Sequence, residues 1–529
     1  MRGSRRGWRL GLPLLVVLVA VAGAFAIGRS GDEKRPDPAP AAPNIVAIVT
    51  DDQNLDQFNR KTMPATTRLL ADRGTTFTDY VVTTPLCCPS RATYLTGQYI
   101  HNNGVTSNTY KKLEDKGNVL PVWLQRAGYR TAHVGKFLNN YAKDLDDPAD
   151  STPGWDQWFT QLEPQRYFDY ELSENGEVVA YGSDPEDYLT RVLNRHAVDV
   201  IEKYAREDET FYLQVDYFAP HFGAGRDPNP CKGAAAPDPD DEPFLSRPEA
   251  ALSAKPSTNE REVADKPWFI REQQPIGKAE RRTIDQHHRC AVASMRAVDR
   301  GVEQIVEALE RTGELDRTVL VFTSDNGYFY GEHRIRSRKE FPYEEIVHMP
   351  LVIRMPASLR GAEAVAKVDA PVANIDLAPT LLDLARAKPC AGGGKCRTLD
   401  GRSLVPLLRD ANAPWPKERA LLIELDQSPK KPKPYPRPCS YAGVRVDGKV
   451  LIHHFSAARA KGSCEETDEV EFYDLRADPH QLENLARSGS NGHLRERAAL
   501  AERLERLRKC AGAAGEGEPE PVSGRPACE

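Results

Sequence analysis

The sequence predicts an α/β fold: a large, mostly parallel sheet flanked by helices, followed by a smaller C-terminal subdomain of antiparallel strands and one helix. Two observations support this prediction. Strand-like and helix-like segments alternate from residue 44 to residue 327, as they do where helices connect parallel strands. After about Leu408 the apolar runs are separated by turns, which is typical of an antiparallel sheet.

Two apolar runs predict buried strands of the large sheet. Residues 44–50 (NIVAIVT) and 318–324 (TVLVFTS) are short and rich in β-branched side chains. The first run is followed by Asp51 and Asp52, and the second by Asp325 and Asn326. Because ligands bind beyond the carboxyl ends of strands in open α/β sheets, these side chains mark the expected site.

Other segments predict further helices, strands and loops. The pattern indicates a helix at residues 199–204, a strand at 210–215 and a long amphipathic helix at 290–312. Residues 229–278 are rich in Pro, Asp and Ala, which predicts a long insertion loop. The C-terminal subdomain is expected to hold strands at residues 420–425, 441–446, 449–454 and 470–475, a Pro/Lys-rich loop at 427–438 and a helix at 494–508.

The N-terminus predicts export. Several arginines precede an apolar run from Leu10 to Ile27, and a Pro/Ala-rich stretch follows, as in a signal peptide with a linker. The run is also long enough to span a bilayer, so a membrane anchor over residues 10–27 is the alternative. We expect a secreted, periplasmic or cell-surface protein, and the lack of an Asn-x-Ser/Thr sequon favours a bacterial source. Residues 1–43 are assigned to this signal or anchor with its linker, 44–408 to the large domain and 409–529 to the subdomain.

Composition and cysteine usage agree with an exported globular protein. A formal net charge of -6 over 529 residues gives no nucleic-acid footprint, and the oligomeric state is not readable. Ten cysteines fit an oxidising compartment, and the eight outside residues 87–88 allow on the order of a hundred pairings. Short separations favour the bridges Cys390–Cys396, Cys439–Cys464 and Cys510–Cys528, which leaves Cys231–Cys290.

Residues 87–91 (CCPSR) predict an anion site at the start of a helix. Pro89 suits a first helical turn, where its missing N–H would have no partner in any case. Residue 87 then lies at the helix N-terminus, where free N–H groups and the helix dipole favour an anion. Arg91 lies one turn further and can face the same point with a fixed positive charge. The alternative for Cys87 and Cys88 is a pair of buried thiols or the end of a disulfide.

Residues 87–97 (CCPSRATYLTG) resemble the signature of the sulfatase family, C-x-P-S-R followed by x-x-x-L-T-G, and match it at every fixed position. The resemblance implies an alkaline phosphatase-like fold. It also implies that Cys87 is oxidised to formylglycine (3-oxoalanine) by a formylglycine-generating or anaerobic maturase enzyme. Cys88 occupies the variable position and is expected to be a small buried side chain.

The four side chains at the strand ends supply hard oxygen donors, which suit calcium or magnesium better than zinc. The resemblance assigns Asp51, Asp52, Asp325 and Asn326, together with the modified Cys87, to one divalent cation, with Ca2+ favoured over Mg2+.

Further residues are assigned by the same resemblance. Gly135-Lys136 is similar to a segment whose lysine contacts formylglycine or a sulfate oxygen, although Leu138 stands where some members carry a histidine. His221, after Ala219-Pro220, corresponds to a histidine at the sulfate and the leaving oxygen. Lys339 matches a sulfate-binding lysine that assists departure of the leaving group, and His333 is a candidate for substrate binding. Residues 470–485 are similar to the family's closing segment, so the resemblance spans residues 44–485.

The resemblance implies a sulfatase in which Cys87, Arg91, Lys136, His221 and Lys339 are catalytic. Residues 86–89 and 98–102 look closest to N-acetylglucosamine-6-sulfatases, which implies a sulfated carbohydrate or small sulfate ester as substrate. Two alternatives stay open. Phosphonate monoester and phosphodiester hydrolases share the fold and the cysteine motif, and a non-catalytic surface protein could bind sulfated glycans.

Overall fold

The structure is a computed structural model that describes residues 42–223, 231–361, 363–427, 433–513 and 524–528. The predicted signal or anchor at residues 10–27 lies outside the described residues, as do residues 428–432 of the Pro/Lys-rich loop. Within the described ranges, we find no helix with the length and apolarity needed to cross a bilayer.

Sixteen strands occur in the described residues. In chain order they are β1 (Asn44–Thr50), β2 (Thr75–Phe77), β3 (Tyr80–Val81), β4 (Arg130–Gly135), β5 (Gln157–Gln161), β6 (Tyr170–Glu174), β7 (Glu177–Tyr181), β8 (Phe211–Asp216), β9 (Thr318–Ser324), β10 (Leu351–Arg354), β11 (Lys367–Val368), β12 (Val372–Ala373), β13 (Leu421–Asp426), β14 (Arg437–Val446), β15 (Lys449–Ala458) and β16 (Cys464–Asp474).

Ten of these strands form the large sheet, in the order β11-β2-β10-β9-β1-β8-β4-β5-β6-β7. The five central strands, β9-β1-β8-β4-β5, are parallel. Antiparallel pairing occurs towards the edges, where β10 pairs with β9 and β2, and β6 pairs with β5 and β7. The predicted large, mostly parallel sheet is confirmed.

Helices pack on both faces of this sheet, and the described residues contain eleven α-helices in all. They are α1 (Pro64–Leu69), α2 (Cys87–Thr96), α3 (Ile100–Asn103), α4 (Leu120–Arg126), α5 (Leu189–Arg206), α6 (Trp268–Arg271), α7 (Lys278–Thr312), α8 (Glu344–Val347), α9 (Leu377–Ala385), α10 (Val405–Arg409) and α11 (Asn491–Leu507). Along β1, Ile45 and Ala47 belong to the core on one face, while Val46 and Ile48 belong to the core on the other. Burial on both faces explains why β1 and β9 are almost continuously apolar.

The C-terminal strands form a separate antiparallel sheet in the order β13-β14-β15-β16, and α11 packs on β14. Two polar contacts tie this sheet to the segment after Lys339. The Tyr343 hydroxyl donates to Glu471 Oε2 at 3.0 Å, and Arg445 Nε donates to Glu344 Oε1 at 3.0 Å. The antiparallel sheet with a terminal helix is confirmed, while the boundary between residues 408 and 409 stays a prediction.

Four disulfides join the cysteine pairs that the sequence separations favour: Cys231–Cys290, Cys390–Cys396, Cys439–Cys464 and Cys510–Cys528. Cys87 and Cys88 are free and buried.

Three parts of the chain differ from what the sequence predicted. Helix α7 begins at Lys278 rather than residue 290, after the Gly277 N–H finds an acceptor in the Glu280 side chain at 3.1 Å. The meander β5-β6-β7 was not predicted, because its strands mix polar and apolar residues and β7 is largely exposed. From Cys231 onward, the predicted insertion loop contains short helical turns and α6, and the Cys231–Cys290 bridge attaches it to α7.

Candidate active site

The register of the parallel strands brings four side chains to one edge of the sheet. Thr50 of β1 pairs with Ser324 of β9, so Asp51 and Asp325 follow their strands at the same level. Val49 pairs with Asp216, the last residue of β8, and Gly135 of β4 also pairs with Asp216. Lys136 follows Gly135. Residues 51, 136, 216 and 325 therefore meet at the carboxyl ends of four neighbouring strands.

Cys87 is the first residue of α2, as the position of Pro89 predicted. Leu86 precedes it with extended backbone, and Pro89 lies in the first turn. The helix ends at Gly97, whose φ of 65° is left-handed and explains the glycine of the motif. The Cys87 side chain is buried, and its Sγ lies 3.4 Å from Asp51 Oδ1. The helix start thus delivers residue 87 to the sheet edge.

Three cations converge on this point. Arg91 Nε donates to Asp325 Oδ2 at 2.8 Å, and its Nη1 donates to the Lys136 carbonyl at 2.8 Å. The Lys136 ammonium contacts Asp51 Oδ2. Lys339 Nζ lies 2.7 Å from Cys87 Sγ and 2.5 Å from Asp52 Oδ1. The fixed positive charges predicted by the sequence surround residue 87.

Two backbone features shape the site. Asp52 has φ of 69°, a left-handed conformation that is uncommon outside glycine and is found at functional turns. Gly135 has φ of 113°, and a Cβ there would lie 2.0 Å from the Asp216 carbonyl oxygen. Only glycine allows this close approach, which sets the direction in which Lys136 leaves β4.

The oxygen donors fit a hard divalent cation. Asp51, Asp52, Cys87 and His221 each place a ligand atom within 4.8 Å of the others. Asn326 Nδ2 donates to Asp52 Oδ1 at 2.5 Å, and the Asp52 N–H donates to Asp325 Oδ1 at 3.2 Å. Asp52 Oδ2 and Asn326 Oδ1 are buried and have no hydrogen-bond partner in the part of the chain that the structure describes. Buried, unpaired carboxylate and amide oxygens are the donors that calcium or magnesium takes.

Charge pairing decides which carboxylates ionise readily. Burial alone would raise the pKa of Asp51, but Lys136 and its neighbouring cations outweigh burial and hold that pKa well below its usual range. Burial raises the pKa of Asp52, and burial with the charge of Asp51 raises that of Asp325. Burial opposes the charge on Arg91, yet Asp325 and the other nearby carboxylates raise its pKa. The site is a dense arrangement of opposite charges.

His221 lies beside the oxygen donors. Its Nδ1 is 2.8 Å from the Phe222 carbonyl and must donate to it, which leaves Nε2 facing Asp52 Oδ2 at 3.7 Å. Burial and the charge of Lys136 lower the pKa of His221 to about 4. Leu138, at the position of a histidine in some sulfatases, is buried in the apolar core, so its side chain brings no polar atom to the site.

His333 makes a different set of contacts. Its Nδ1 lies 2.7 Å from Glu260 Oε2, its Nε2 lies 3.6 Å from Glu345 Oε2, and its ring stacks on Tyr343 with centroids 4.2 Å apart. The side chain is fully buried. The structure therefore does not bring His333 into contact with the described residues around Cys87, and its predicted substrate-binding role stays a prediction.

Asp216 also belongs to the site, although it was not among the residues predicted from the sequence. Its Oδ2 lies 3.4 Å from Arg91 Nη1 and 3.0 Å from His133 Nε2, and it accepts a hydrogen bond from Gln214 Nε2 at 2.6 Å. The signal was available, because Asp216 ends an apolar run as Asp51 and Asp325 follow theirs. Asp216 and Asp325 hold the Arg91 guanidinium from two sides.

The fold and the site together are those of an alkaline phosphatase-like α/β protein. The sulfatase family model matches residues 43–387, and the model described as N-sulphoglucosamine sulphohydrolase, C-terminal, matches residues 331–510. The first match covers more than half of the chain. The chain belongs to the sulfatase family.

Two relatives named as sulfatases are similar to this chain. An extracellular sulfatase Sulf-1 homologue of Caenorhabditis elegans is 32% identical over 410 residues, which are 74% of this chain and 53% of that protein. The chain thus spans about half the length of this relative. Human N-acetylglucosamine-6-sulfatase is 30% identical over 517 residues, 92% of this chain and 87% of the relative.

Solved structures share the fold. One, described as in complex with its substrate D-glucosamine-2-N,6-O-disulfate, has a TM-score of 0.68 at 24% identity and covers 88% of this chain and 97% of its own. A phosphonate monoester hydrolase from Silicibacter pomeroyi has a TM-score of 0.61 at 21% identity and covers 92% of this chain and 100% of its own.

Proposed function

We propose that the protein hydrolyses sulfate esters of carbohydrates, with N-acetylglucosamine-6-sulfate-like groups as substrates and aryl sulfates as model substrates. One observation carries the proposal: Arg91, Lys136 and Lys339 surround residue 87, which begins a helix at the carboxyl edge of the sheet. Three fixed cations at a helix N-terminus suit a tetrahedral oxyanion. Sulfate esters require such neutralisation before a nucleophile can approach sulfur.

The chain's own residues bind and orient the sulfate. The Arg91 guanidinium is fixed by Asp325 and Asp216, so it is preorganised and loses little entropy when it binds an oxygen. Lys339 Nζ, at 2.7 Å from Cys87 Sγ, reaches an atom bound at residue 87 directly. Burial of Cys87 excludes water from the reacting atoms, which strengthens each of these interactions.

Residues 51, 52, 325 and 326 would hold Ca2+, together with the modified residue 87, and the bound cation would supply further positive charge against the sulfate oxygens. Formylglycine at residue 87 would supply a hydroxyl nucleophile from its hydrated aldehyde. The buried unpaired oxygens of Asp52 and Asn326 support the cation assignment. Mg2+ is the second choice, because it accepts fewer protein ligands.

Hydrolysis breaks the bond between sulfur and the ester oxygen, and that oxygen must gain a proton. Lys339 and His221 are the two candidates that lie beside the site. Lys339 carries protons at Nζ next to residue 87, while the Nδ1–H of His221 is occupied by the Phe222 carbonyl. This arrangement favours Lys339 as the proton donor to the ester oxygen. His221 Nε2 is positioned to accept a proton.

The relatives support the proposed substrate and the proposed location. N-acetylglucosamine-6-sulfatases among them support a sulfated carbohydrate, and an extracellular sulfatase homologue supports an exported protein. We extend the proposal to a bacterial source, to export directed by residues 10–27, and to a formylglycine-generating or anaerobic maturase enzyme as partner.

A phosphoryl substrate is the second candidate. It is favoured by the likeness to a phosphonate monoester hydrolase, which covers the whole of that chain. Rates on matched aryl sulfate, phosphate diester and phosphonate substrates separate the two functions. We expect the sulfate ester to be preferred, and a preference for the phosphonate would reverse the assignment.

The decisive experiment combines mass analysis with turnover. The protein is co-produced with a maturase, and the peptide carrying residue 87 is then isolated. This peptide should show the mass loss that accompanies conversion of cysteine to formylglycine. The same preparation should hydrolyse p-nitrophenyl sulfate. Intact cysteine in an inactive preparation that still binds sulfated glycan would instead identify a binding protein.

A further inference from the structure

Two arginines near Lys339 form no salt bridge within 4.0 Å to any of the described residues. Arg338 precedes Lys339, and its guanidinium lies over the Tyr435 ring, 3.0 Å from the centroid. Arg437 begins β14 and is only 3% exposed, yet its Nη1 and Nη2 have no hydrogen-bond partner among the described residues. Tyr435, which lies under the Arg338 guanidinium, is two residues before Arg437 in the chain, so the two arginines share one neighbourhood, and the Glu340 carboxylate acts on both.

Positive charge dominates this neighbourhood. Glu340 is the carboxylate that acts on both arginines, and it lies 3.8 Å from Lys433 Nζ. Three cations therefore face one anion. We call Arg338, Arg437, Lys433 and Glu340, with Tyr435, the arginine cluster. Burial lowers the pKa of both guanidinium groups, in contrast to Arg91, whose carboxylates raise it.

Nearby arginines follow the usual rule that buried charges are paired. Arg336 Nε donates to Glu280 Oε1 at 2.8 Å, and Arg445 pairs with both Asp79 and Glu344. A buried guanidinium without a partner is costly and requires an explanation. A bound anion would supply the missing partner of the guanidinium.

The arginine cluster lies beside the candidate active site. The Glu340 N–H donates to the Pro85 carbonyl at 3.3 Å, two residues before Cys87. Tyr328 precedes Phe329, whose N–H donates to the Arg338 carbonyl at 2.7 Å. Tyr328 also lines a cavity together with Asp52 and Phe222, which is 44% exposed. Tyr328 therefore connects the reactive centre to the cluster.

We infer that the arginine cluster binds a second anionic group, a sulfate or a carboxylate, on the saccharide whose sulfate ester is hydrolysed at residue 87, either on the same sugar ring or on the ring linked to it. The inference rests on the proposed function and narrows its substrate class to sugars with at least two anionic groups. Arg338 is the accessible contact, because it is only partly buried, and its planar guanidinium can bind either anion with two hydrogen bonds. The buried Arg437 guanidinium adds a second positive charge to the cluster.

The test compares three 6-O-sulfated substrates: N-acetylglucosamine-6-sulfate, its N-sulfated counterpart, and a uronic acid-linked disaccharide of N-acetylglucosamine-6-sulfate. In the matured wild-type enzyme, the second anion should raise kcat/KM by about tenfold or more, which is about 1.4 kcal/mol, mainly through KM. The two dianionic substrates distinguish a sulfate from a carboxylate source. Equal kcat/KM for all three would overturn the inference.

Arg338→Gln should remove most of this advantage, and Arg338→Lys should restore part of it. Arg336→Gln is the matched control, because it removes a neighbouring guanidinium that is already paired with Glu280. The control should keep the wild-type ratio between substrates. An advantage that survives Arg338→Gln, or that Arg336→Gln removes equally, would also overturn the inference.

A binding measurement separates this inference from the proposed function. Calorimetry with the desulfated products, N-sulfoglucosamine, the uronic acid-linked disaccharide and N-acetylglucosamine, needs no turnover. Tighter binding of an anionic product, lost in Arg338→Gln, supports the cluster even if no sulfate ester is hydrolysed. Equal binding of all three products contradicts it, whatever the turnover. Arg437→Lys is included with its melting temperature, since a buried substitution can affect folding.

Discussion

The buried pair of His333 and Glu345 makes stability depend on pH. Burial alone would lower the pKa of His333, but Glu345 and Glu260 outweigh burial and raise it to about 9. Burial would likewise raise the pKa of Glu345, but His333 outweighs it and lowers that pKa to about 2. Lys266 faces Glu260 at 3.1 Å, and the charge of Lys255 acts on Glu345, so both carboxylates also have permanent cations.

The direction follows from these shifts. The raised pKa of His333 stabilises the folded protein fully below its ordinary value of 6.5, and this contribution is lost as pH rises towards 9. The lowered pKa of Glu345 contributes above its ordinary value of 4.5 and is lost as pH falls towards 2. For His333 the shift corresponds to about 3 kcal/mol. In a chain of this length, that is a few degrees of melting temperature.

The assay measures melting temperature at pH 6, 7.5 and 9 for the wild type and for His333→Gln in the same buffers. At pH 6 the wild type should have a higher melting temperature than His333→Gln. This difference in melting temperature should shrink as the pH approaches 9. A difference that stays constant across this range would refute a charged His333. Steady-state kinetics on the same variant test the substrate-binding prediction: a buried anchor leaves KM almost unchanged, whereas loss of a substrate contact raises it.

Three further outcomes are expected. Cys87→Ala should abolish aryl sulfate turnover while Cys88→Ala keeps much of it, since only Cys87 faces the cations; the reverse pattern would mean that the wrong cysteine was assigned. Chelation by EDTA should lower both activity and melting temperature, with calcium restoring both better than magnesium, and a melting temperature insensitive to EDTA would argue against the cation site. Asp376→Asn should cost about 3–5 kcal/mol, because Asp376 forms two bonds of 2.6 and 2.7 Å with the buried Arg419. An unchanged urea midpoint of unfolding for Asp376→Asn would contradict this expected loss of stability.

The central strands were predictable because their burial on two faces leaves a strong signal. Strands β1 and β9 begin and end where the apolar runs predicted, at Asn44–Thr50 and Thr318–Ser324. The start of helix α2 was predictable for another reason, because Pro89 marks its first turn. The bridges were predictable where separations are short, since only local pairs are strongly favoured by chain proximity.

What the sequence could not supply was the register between distant strands. Asp216 enters the site only because Val49, Gly135 and Asp216 pair at one level, and a shift of one residue would turn its side chain to the other face. The unpaired state of Arg437 was equally hidden, because pairing depends on which carboxylates the fold brings near it. That His221 lies among the oxygen donors likewise depends on how the fold brings distant loops together.

The contacts that fix the segment around Lys339 have a consequence for biosynthesis. Asp52 and Asp325 are 273 residues apart, and the Tyr343–Glu471 bond spans another 128. Such long-range closures are slow steps in folding, because loop entropy is lost before the contacts form. Because the chain is synthesised from its N-terminus, Cys87 is made long before Lys339 is held in place. The reactive centre is completed late, once β16 has been made, and incomplete chains are expected to lack activity.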